Sequence, residues 1–370
     1  MKTSQTAQPS DRIHALDGLR AMAASLIFVF HLALATWSEQ LIRRGHDIFG
    51  HLVGWGGASG VDLFFVLSGV VLLRPYFRTG RAMTYLRYLQ RRIQRLYPPF
   101  WGAWMLAGLT VWLVSNFPNW WDSALPKFDW VTWLSQIGLL YTGHQSYNWA
   151  WWTLNIEVIF YLLAPCFVLL LRDRGSLFWI LALVATFGLA QFVYSTPRPA
   201  GPAELAWQLL VYMPCFMAGL RLAAADLSRG MSSVAVIAGA LLFTLSLFRS
   251  SINPHLGLAL LYMALTACAM RPLGKLARLL THRWLVWWGE RSYSFFLTHY
   301  SVISLSCWGA AELVENRSLG YFVLSRLLAT VGAVLVACLL FHTVECRYAH
   351  GLVTARYRWP PRRLDFTPST

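Results

Sequence analysis

The run LDGLRAMAASLIFVFH, residues 16–31, is almost wholly apolar, yet it carries Arg20 and His31 with ten residues between them. Hydrocarbon tolerates an ionisable side chain only at a cost of several kcal/mol, so such residues in a spanning helix face a bundle interior or a watery cavity. Eleven helical steps separate the two by about 16 Å, half the thickness of a bilayer core. With Arg20 at one membrane edge, His31 reaches the midplane or beyond, and imidazole is the natural proton carrier near neutral pH.

The rest of the chain agrees with a membrane setting. Of its 370 residues 57% are hydrophobic and only 13% charged, where a soluble protein carries about a quarter. Mean hydropathy is +0.48. Residues 1–15 are polar, and the first apolar run continues as a helix without a small-residue cleavage site, so it does not read as a cleaved signal. Six cysteines lie singly with no C-x-x-C, which reads as packing residues, with no disulfide framework and no metal site.

Apolar stretches fall near 18–37, 60–77, 99–115, 149–171, 177–194, 204–222, 232–248, 256–270, 284–306 and 319–343. Each is close to a bilayer-spanning length, which predicts an all-α polytopic bundle of about ten transmembrane helices in one domain, 1–370. Alternate loops collect most of the arginines, including Arg74, Arg78, Arg87, Arg91, Arg92 and Arg95, while the opposite loops hold few. The positive-inside rule then places both termini, tails 1–15 and 347–370, in the cytoplasm. The formal charge of +15 belongs to topology and one dense cytoplasmic loop, so nucleic acid is not an expected partner.

That topology makes depths comparable. Counting about 1.5 Å per residue from the cytoplasmic ends puts Asp62 about 18 Å in, His31 about 20 Å, and Glu157 and His299 about 22 Å. Four ionisable groups from four helices converge on one level in the outer half of the membrane, which predicts a shared polar site. Asp62 is the expected hydrogen-bond partner of His31, because consecutive helices are commonly adjacent. His31, Asp62 and Glu157 are expected to line one cavity leading to Arg92 and Arg95.

A second cluster, YLRYLQRRIQRLYPPFW (85–101), sits at the cytoplasmic side. Arg92 and Arg95 share a helical face and can hold phosphate bidentately, with Arg91 adjacent. Tyr88, Tyr97 and Trp101 offer aromatic faces to a purine. Juxtamembrane arginines also bind anionic headgroups or simply set orientation.

These segments resemble, in order, the acyltransferase-3 family of integral membrane O-acyltransferases. LDGLRAMAASLIFVFH (16–31) is similar to its first-helix signature, GVDLFFVLSG (60–69) to its second, and RRIQRLYPPFW (91–101) to its R-x-x-R motif. WTLNIEVIFYLLAP (152–165) matches W-[ST]-L-x-x-E-x-x-F-Y, and RSYSFFLTH (291–299) matches the late S-Y-S-x-x-L-x-H element. Val158 departs from the second carboxylate many members have after Glu157, and VECRY around Glu345 lacks the usual proline. The resemblance implies a short, membrane-only enzyme of the bacterial inner membrane. It would move an acyl group, typically acetyl, from cytoplasmic acetyl-CoA or another acyl-CoA to a hydroxyl of a cell-surface polysaccharide or lipid-linked glycan.

In that reading His31 is general base or acyl-carrying nucleophile, and Asp62 or Glu157 orients it. Arg20, Arg91, Arg92, Arg95, Tyr97 and Trp101 hold the donor, and Trp152, Tyr161 and His299 meet the substrate; no metal is expected. The alternative is a proton-coupled transporter or flippase, which would also bury His, Asp and Glu but would not need an arginine–aromatic mouth. No H-E-x-x-H or G-x-S-x-G supports a zinc or serine hydrolase, and Ser68 reads as a packing residue beside Gly69.

Overall fold

A computed structural model describes residues 13–36, 56–78, 83–119, 125–139, 146–225, 227–271, 274–314 and 318–349. Most of both expected tails lies outside the described residues. The helices are α1 (His14–Thr36), α2 (Gly60–Arg78), α3 (Tyr85–Asn116), short α4 (Trp130–Ser135), α5 (Trp152–Leu171), α6 (Ser176–Tyr194), α7 (Pro202–Ala224), α8 (Arg229–Phe248), α9 (Pro254–Ala269), short α10 (Lys275–Leu280), α11 (Arg283–Leu313) and α12 (Leu319–Leu340). No strand occurs among the described residues.

Among the described residues, seven helical spans, containing most or all of α1, α2, α5, α6, α7, α8 and α12, are long and apolar enough to cross a membrane. The described parts of the ten expected stretches are almost wholly helical, but three differ in kind. Helix α9 has 16 residues, about 24 Å, less than a bilayer core. Helices α3 and α11 are long, 32 and 31 residues, but their first turns carry YLRYLQRRIQR and RWLVWWGERSYS and dilute their hydropathy. The boundary between α8 and α9 is set by Asn253, whose side chain accepts from His255 N, with Pro254 opening the helix.

Burial separates centre from rim. Within their spans, 61% of α1 and 67% of α2 are buried, against 11% of α6 and 17% of α8, whose leucines and valines face outward. Helices α1, α2, α7 and α11 form the middle. Helix α2 meets α7 backbone to backbone: a Cβ on Gly219 would stand 2.1 Å from Val66 O. Likewise a Cβ on Gly289 of α11 would stand 1.9 Å from Asp17 O of α1. Small residues permit such approach where lipid supplies no hydrophobic drive between helices.

The connection after α3 is not a simple outer loop. Phe128 N donates to Ser115 Oγ at 3.0 Å, Trp133 stacks on Trp104 at 4.0 Å, and Tyr97 Oη donates to Gly138 O at 2.9 Å. The segment therefore runs back alongside α3 from the level of Ser115 to that of Tyr97, with Trp130, Val131 and Leu134 exposed on its outer side. A short α-helix and a 3-10 turn, Gln136–Gly138, make up much of this return, and its end is covered by protein, with Gln136 and Leu139 buried.

Candidate functional site

A cavity of about 770 Å³ lies between α1, α2, α3, α5 and α11, within the size range of small-molecule sites. Along α2 its lining runs from Val61 to Arg78, seventeen steps or about 26 Å. Its two ends differ chemically. Arg20, Arg74, Arg78, Arg92 and Arg95 gather at one end, while Val61, Phe64, Leu154 and Phe296 line the other. Four carboxylates also line it, Asp17, Glu157, Glu290 and Glu345. Asp17 holds Arg20 at 3.0 Å. Glu157 accepts from Tyr161 Oη at 2.5 Å and from Ser68 Oγ at 3.2 Å.

Arg92 lies over the rings of Tyr88, at 5.4 Å, and Tyr161, at 5.9 Å. Its Nε and the nearby Tyr88 Oη are buried and make no well-formed hydrogen bond, only a loose contact between the two residues, so a ligand oxygen arriving there would find donors to meet.

Among the described residues no group of three His, Cys, Asp or Glu side chains converges as a metal site.

His31 and His299 form a dyad. His299 Nε2 is 3.1 Å from His31 Nδ1, and the rings lie 5.0 Å apart. Carbonyls assign the tautomers. His299 Nδ1 faces Phe296 O at 2.8 Å, so it carries the proton and leaves Nε2 as acceptor. His31 Nδ1 faces Ile27 O at 3.0 Å, so it too is the protonated nitrogen, donating to Ile27 O and His299 Nε2 together. The lone pair of His31 Nε2 is thereby left for chemistry. The remaining walls are aromatic: Phe30, Tyr300 and, against His299, Phe295 and Phe296.

Several expectations are corrected. Asp62 is not the partner of His31. Its Oδ1 accepts from His255 Nδ1 at 2.7 Å and from Cys215 Sγ at 3.2 Å, tying α2 to α9 and α7. Asp62 occupies the first turn of α2, on the side turned toward α7 and α9. Nor do His31, Asp62 and Glu157 share one cavity: only Glu157 lines it, and Phe64 and Phe296, packed edge to face at 5.8 Å, close it on the side of His299.

Arg20, Arg92, Arg95 and Tyr161 do line the cavity. Arg91 is exposed, and Tyr97 and Trp101 instead bind the carbonyls of Gly138 and Ile137 in the returning segment. Trp152 packs on Tyr212 rather than lining the cavity. Ser68 is a cavity residue, whereas Gly69 makes the close helix contact.

One cavity residue, Glu345, and one buried residue beside the cavity wall, Arg291, carried little sequence signal. Glu345 lies in a π turn, Phe341–Glu345, and its Oε2 accepts from Ser294 N and Ser294 Oγ at 3.1 and 2.5 Å. Arg291 leans between Trp287 and Phe341, 4.1 and 4.6 Å from the ring centres, and reaches His342 Nε2 at 3.3 Å beside it. A buried acid in an apolar run was the available sign for Glu345; nothing local marks a π turn.

Comparison with known proteins gives one consistent answer. A provisionally named peptidoglycan O-acetyltransferase, YrhL of Bacillus subtilis, is 25% identical over 383 residues, covering 90% of this chain and 54% of that protein. Peptidoglycan O-acetyltransferase OatA of Listeria monocytogenes is 26% identical over 337 residues, covering 80% and 50%. A provisionally named O-acetyltransferase of Staphylococcus aureus is 26% identical over 335 residues, covering 79% and 51%. The chain spans about half the length of the curated relatives it matches. No solved structure matches it. The family model described as an acyltransferase domain matches residues 13–342, nearly the whole helical bundle built around the cavity and the dyad, and the chain therefore belongs to the acyltransferase-3 family.

Proposed function

We propose that this protein is a multi-pass enzyme of the bacterial inner membrane, with cytoplasmic termini, that transfers an acetyl group from a cytoplasmic acyl-CoA to a hydroxyl of a cell-surface polysaccharide or lipid-linked glycan. The observation that carries this reading is the cavity, charged with arginines at one end and apolar at the other. CoA has the matching polarity: phosphates and a purine at one end, a flexible arm with the thioester at the other. Arg92 and Arg95 would hold phosphate, with Arg20, Arg74 and Arg78 adding positive charge and Tyr88 and Tyr161 aromatic surface. The thioester would lie among Phe64, Leu154 and Phe296, next to the dyad.

His31 supplies its free Nε2. As general base, it takes the proton of the acceptor hydroxyl while that oxygen attacks the thioester carbonyl. The C–S bond then breaks and the proton passes to the departing thiolate. As nucleophile, the same nitrogen would attack the thioester carbonyl and expel CoA as its thiolate, leaving an acyl-imidazolium. The acceptor hydroxyl would then take the acyl group, its proton neutralising the thiolate and His31 being restored. In either role His299 acts as the third group of a triad does, keeping the proton of His31 on Nδ1 and receiving its hydrogen bond as charge develops on the ring. The rings of Phe64 and Phe296 engage only in apolar and aromatic packing, so swinging them aside breaks no hydrogen bond. The glycan class is supported by relatives named as peptidoglycan O-acetyltransferases.

The test is purified protein in proteoliposomes with radiolabelled acetyl-CoA. Wild type should release or transfer label, and His31→Ala should abolish this while still binding CoA. Activity within a few-fold of wild type in that variant would remove His31 from the chemistry.

A further inference from the structure

The cavity face of α11 continues past the dyad. Gly289, Tyr293 and Phe296 follow one another at steps of four and three residues and all line the cavity. The next position on that stripe is Tyr300, one turn further toward the end of α11 that lies opposite the arginines. Its ring meets His31 edge to face, centroids 5.4 Å apart at 87°. Beyond it lies Trp149, nearly parallel to Tyr300 at 9° and 6.4 Å away. Trp149 is 47% exposed, and neither ring lines the donor cavity.

The turn that carries Trp149 is anchored to the bundle. It is a single 3-10 turn, Trp149–Trp151, whose flanking side chains are anchored to one carbonyl of α11. Asn148 Nδ2 and Trp151 Nε1 both donate to Leu297 O at 3.1 Å. Asn148 Oδ1 also accepts from Ala150 N at 3.0 Å, and both anchoring residues are fully buried. Two buried hydrogen bonds thus fix the backbone turn that carries an exposed indole one ring away from the candidate catalytic imidazole. Such preorganisation cuts the ordering cost of binding.

We propose that Trp149 and Tyr300 form the acceptor subsite, a flat aromatic platform on which a pyranose ring of the glycan stacks so that one of its hydroxyls meets His31 Nε2. This rests on the acetyltransferase reading and adds to it the surface that recognises the acceptor. A pyranose offers an apolar face of C–H groups and a rim of hydroxyls, the chemistry that an indole and a phenol in near-parallel planes receive. The donor arm, coming from the arginine end, would approach the dyad from the side of Phe296, and the sugar from the side of Tyr300. The two substrates would then meet at His31 without sharing a binding surface.

The test compares Trp149→Leu, Trp149→Phe and Tyr300→Leu with wild type in proteoliposomes, using radiolabelled acetyl-CoA and soluble peptidoglycan glycan strands as acceptor. Each Leu variant should raise the acceptor KM about tenfold, equivalent to ~1.4 kcal/mol of lost stacking, and by more than any change in donor KM. Trp149→Phe, which keeps an aromatic face, should recover most of the loss. An unchanged acceptor KM in both Leu variants, with wild type active, would refute the platform, make Trp149 a lipid-facing residue and leave the transferase reading standing. Wild type that turns over no acetyl-CoA would refute the transferase reading and the platform with it.

Discussion

Replacing His299 with Leu tests the dyad directly. Leucine fills comparable space, so the packing against Phe295 and Phe296 is largely kept while the acceptor for His31 Nδ1–H disappears. The proton does not lose all support, because Ile27 O remains at 3.0 Å. A hydrogen bond between neutral groups is worth about 0.5–1.5 kcal/mol and one to a charged group about 1.5–3 kcal/mol. The His31–His299 bond at 3.1 Å passes from the first kind to the second as positive charge develops on His31. The difference, about 1–2 kcal/mol, falls on the chemical step and predicts a loss of roughly 5- to 30-fold in kcat. His31→Ala should be far more severe.

Single-turnover acetyl transfer is the suitable assay, because it separates chemistry from product release. His299→Gln, whose amide can donate to Phe296 O and accept from His31, should recover most of the loss. A His299→Leu rate within twofold of wild type would refute the dyad. So would a loss as complete as that of His31→Ala with no recovery in His299→Gln, since that pattern belongs to a disrupted fold.

Arg92→Ala with Arg95→Ala should weaken CoA binding more than tenfold, since each charge-assisted phosphate contact is worth about 1.5–3 kcal/mol; titration calorimetry in detergent reads it. Arg95→Lys should recover that affinity only in part, because ammonium lacks the planar fork. Asp62→Ala should lower thermal stability by about 1–3 kcal/mol, as His255 and Cys215 lose their shared acceptor, and leave CoA affinity unchanged. A weakened CoA affinity in a stably folded Asp62→Ala protein would bring that carboxylate back to the donor site.

The sequence by itself determined that this chain is a helical membrane bundle, that ionisable groups interrupt its apolar runs, and that arginines crowd the stretch before one helix. Those properties follow from chain-local rules: hydropathy over some twenty residues, 1.5 Å of rise per step, and the cost of burying charge in hydrocarbon. His31, Glu157, His299, Arg92 and Arg95 could therefore be singled out as residues of interest, but not their common level: Glu157 bonds Ser68, six steps or about 9 Å along α2 from Asp62.

Azimuth was not legible. Which face of a helix meets which neighbour depends on long-range packing, such as the backbone contact of Gly219 with Val66 O and of Gly289 with Asp17 O. Those contacts turn Asp62 toward His255, bring His299 instead to His31, and leave Glu157 with Tyr161 and Ser68. The return of residues 128–139 along α3 and the π turn that presents Glu345 belong to the same class. Rise along a helix is fixed by the backbone, but the pairing of buried charges is decided by which helices touch and at what rotation, and only the tertiary structure sets that.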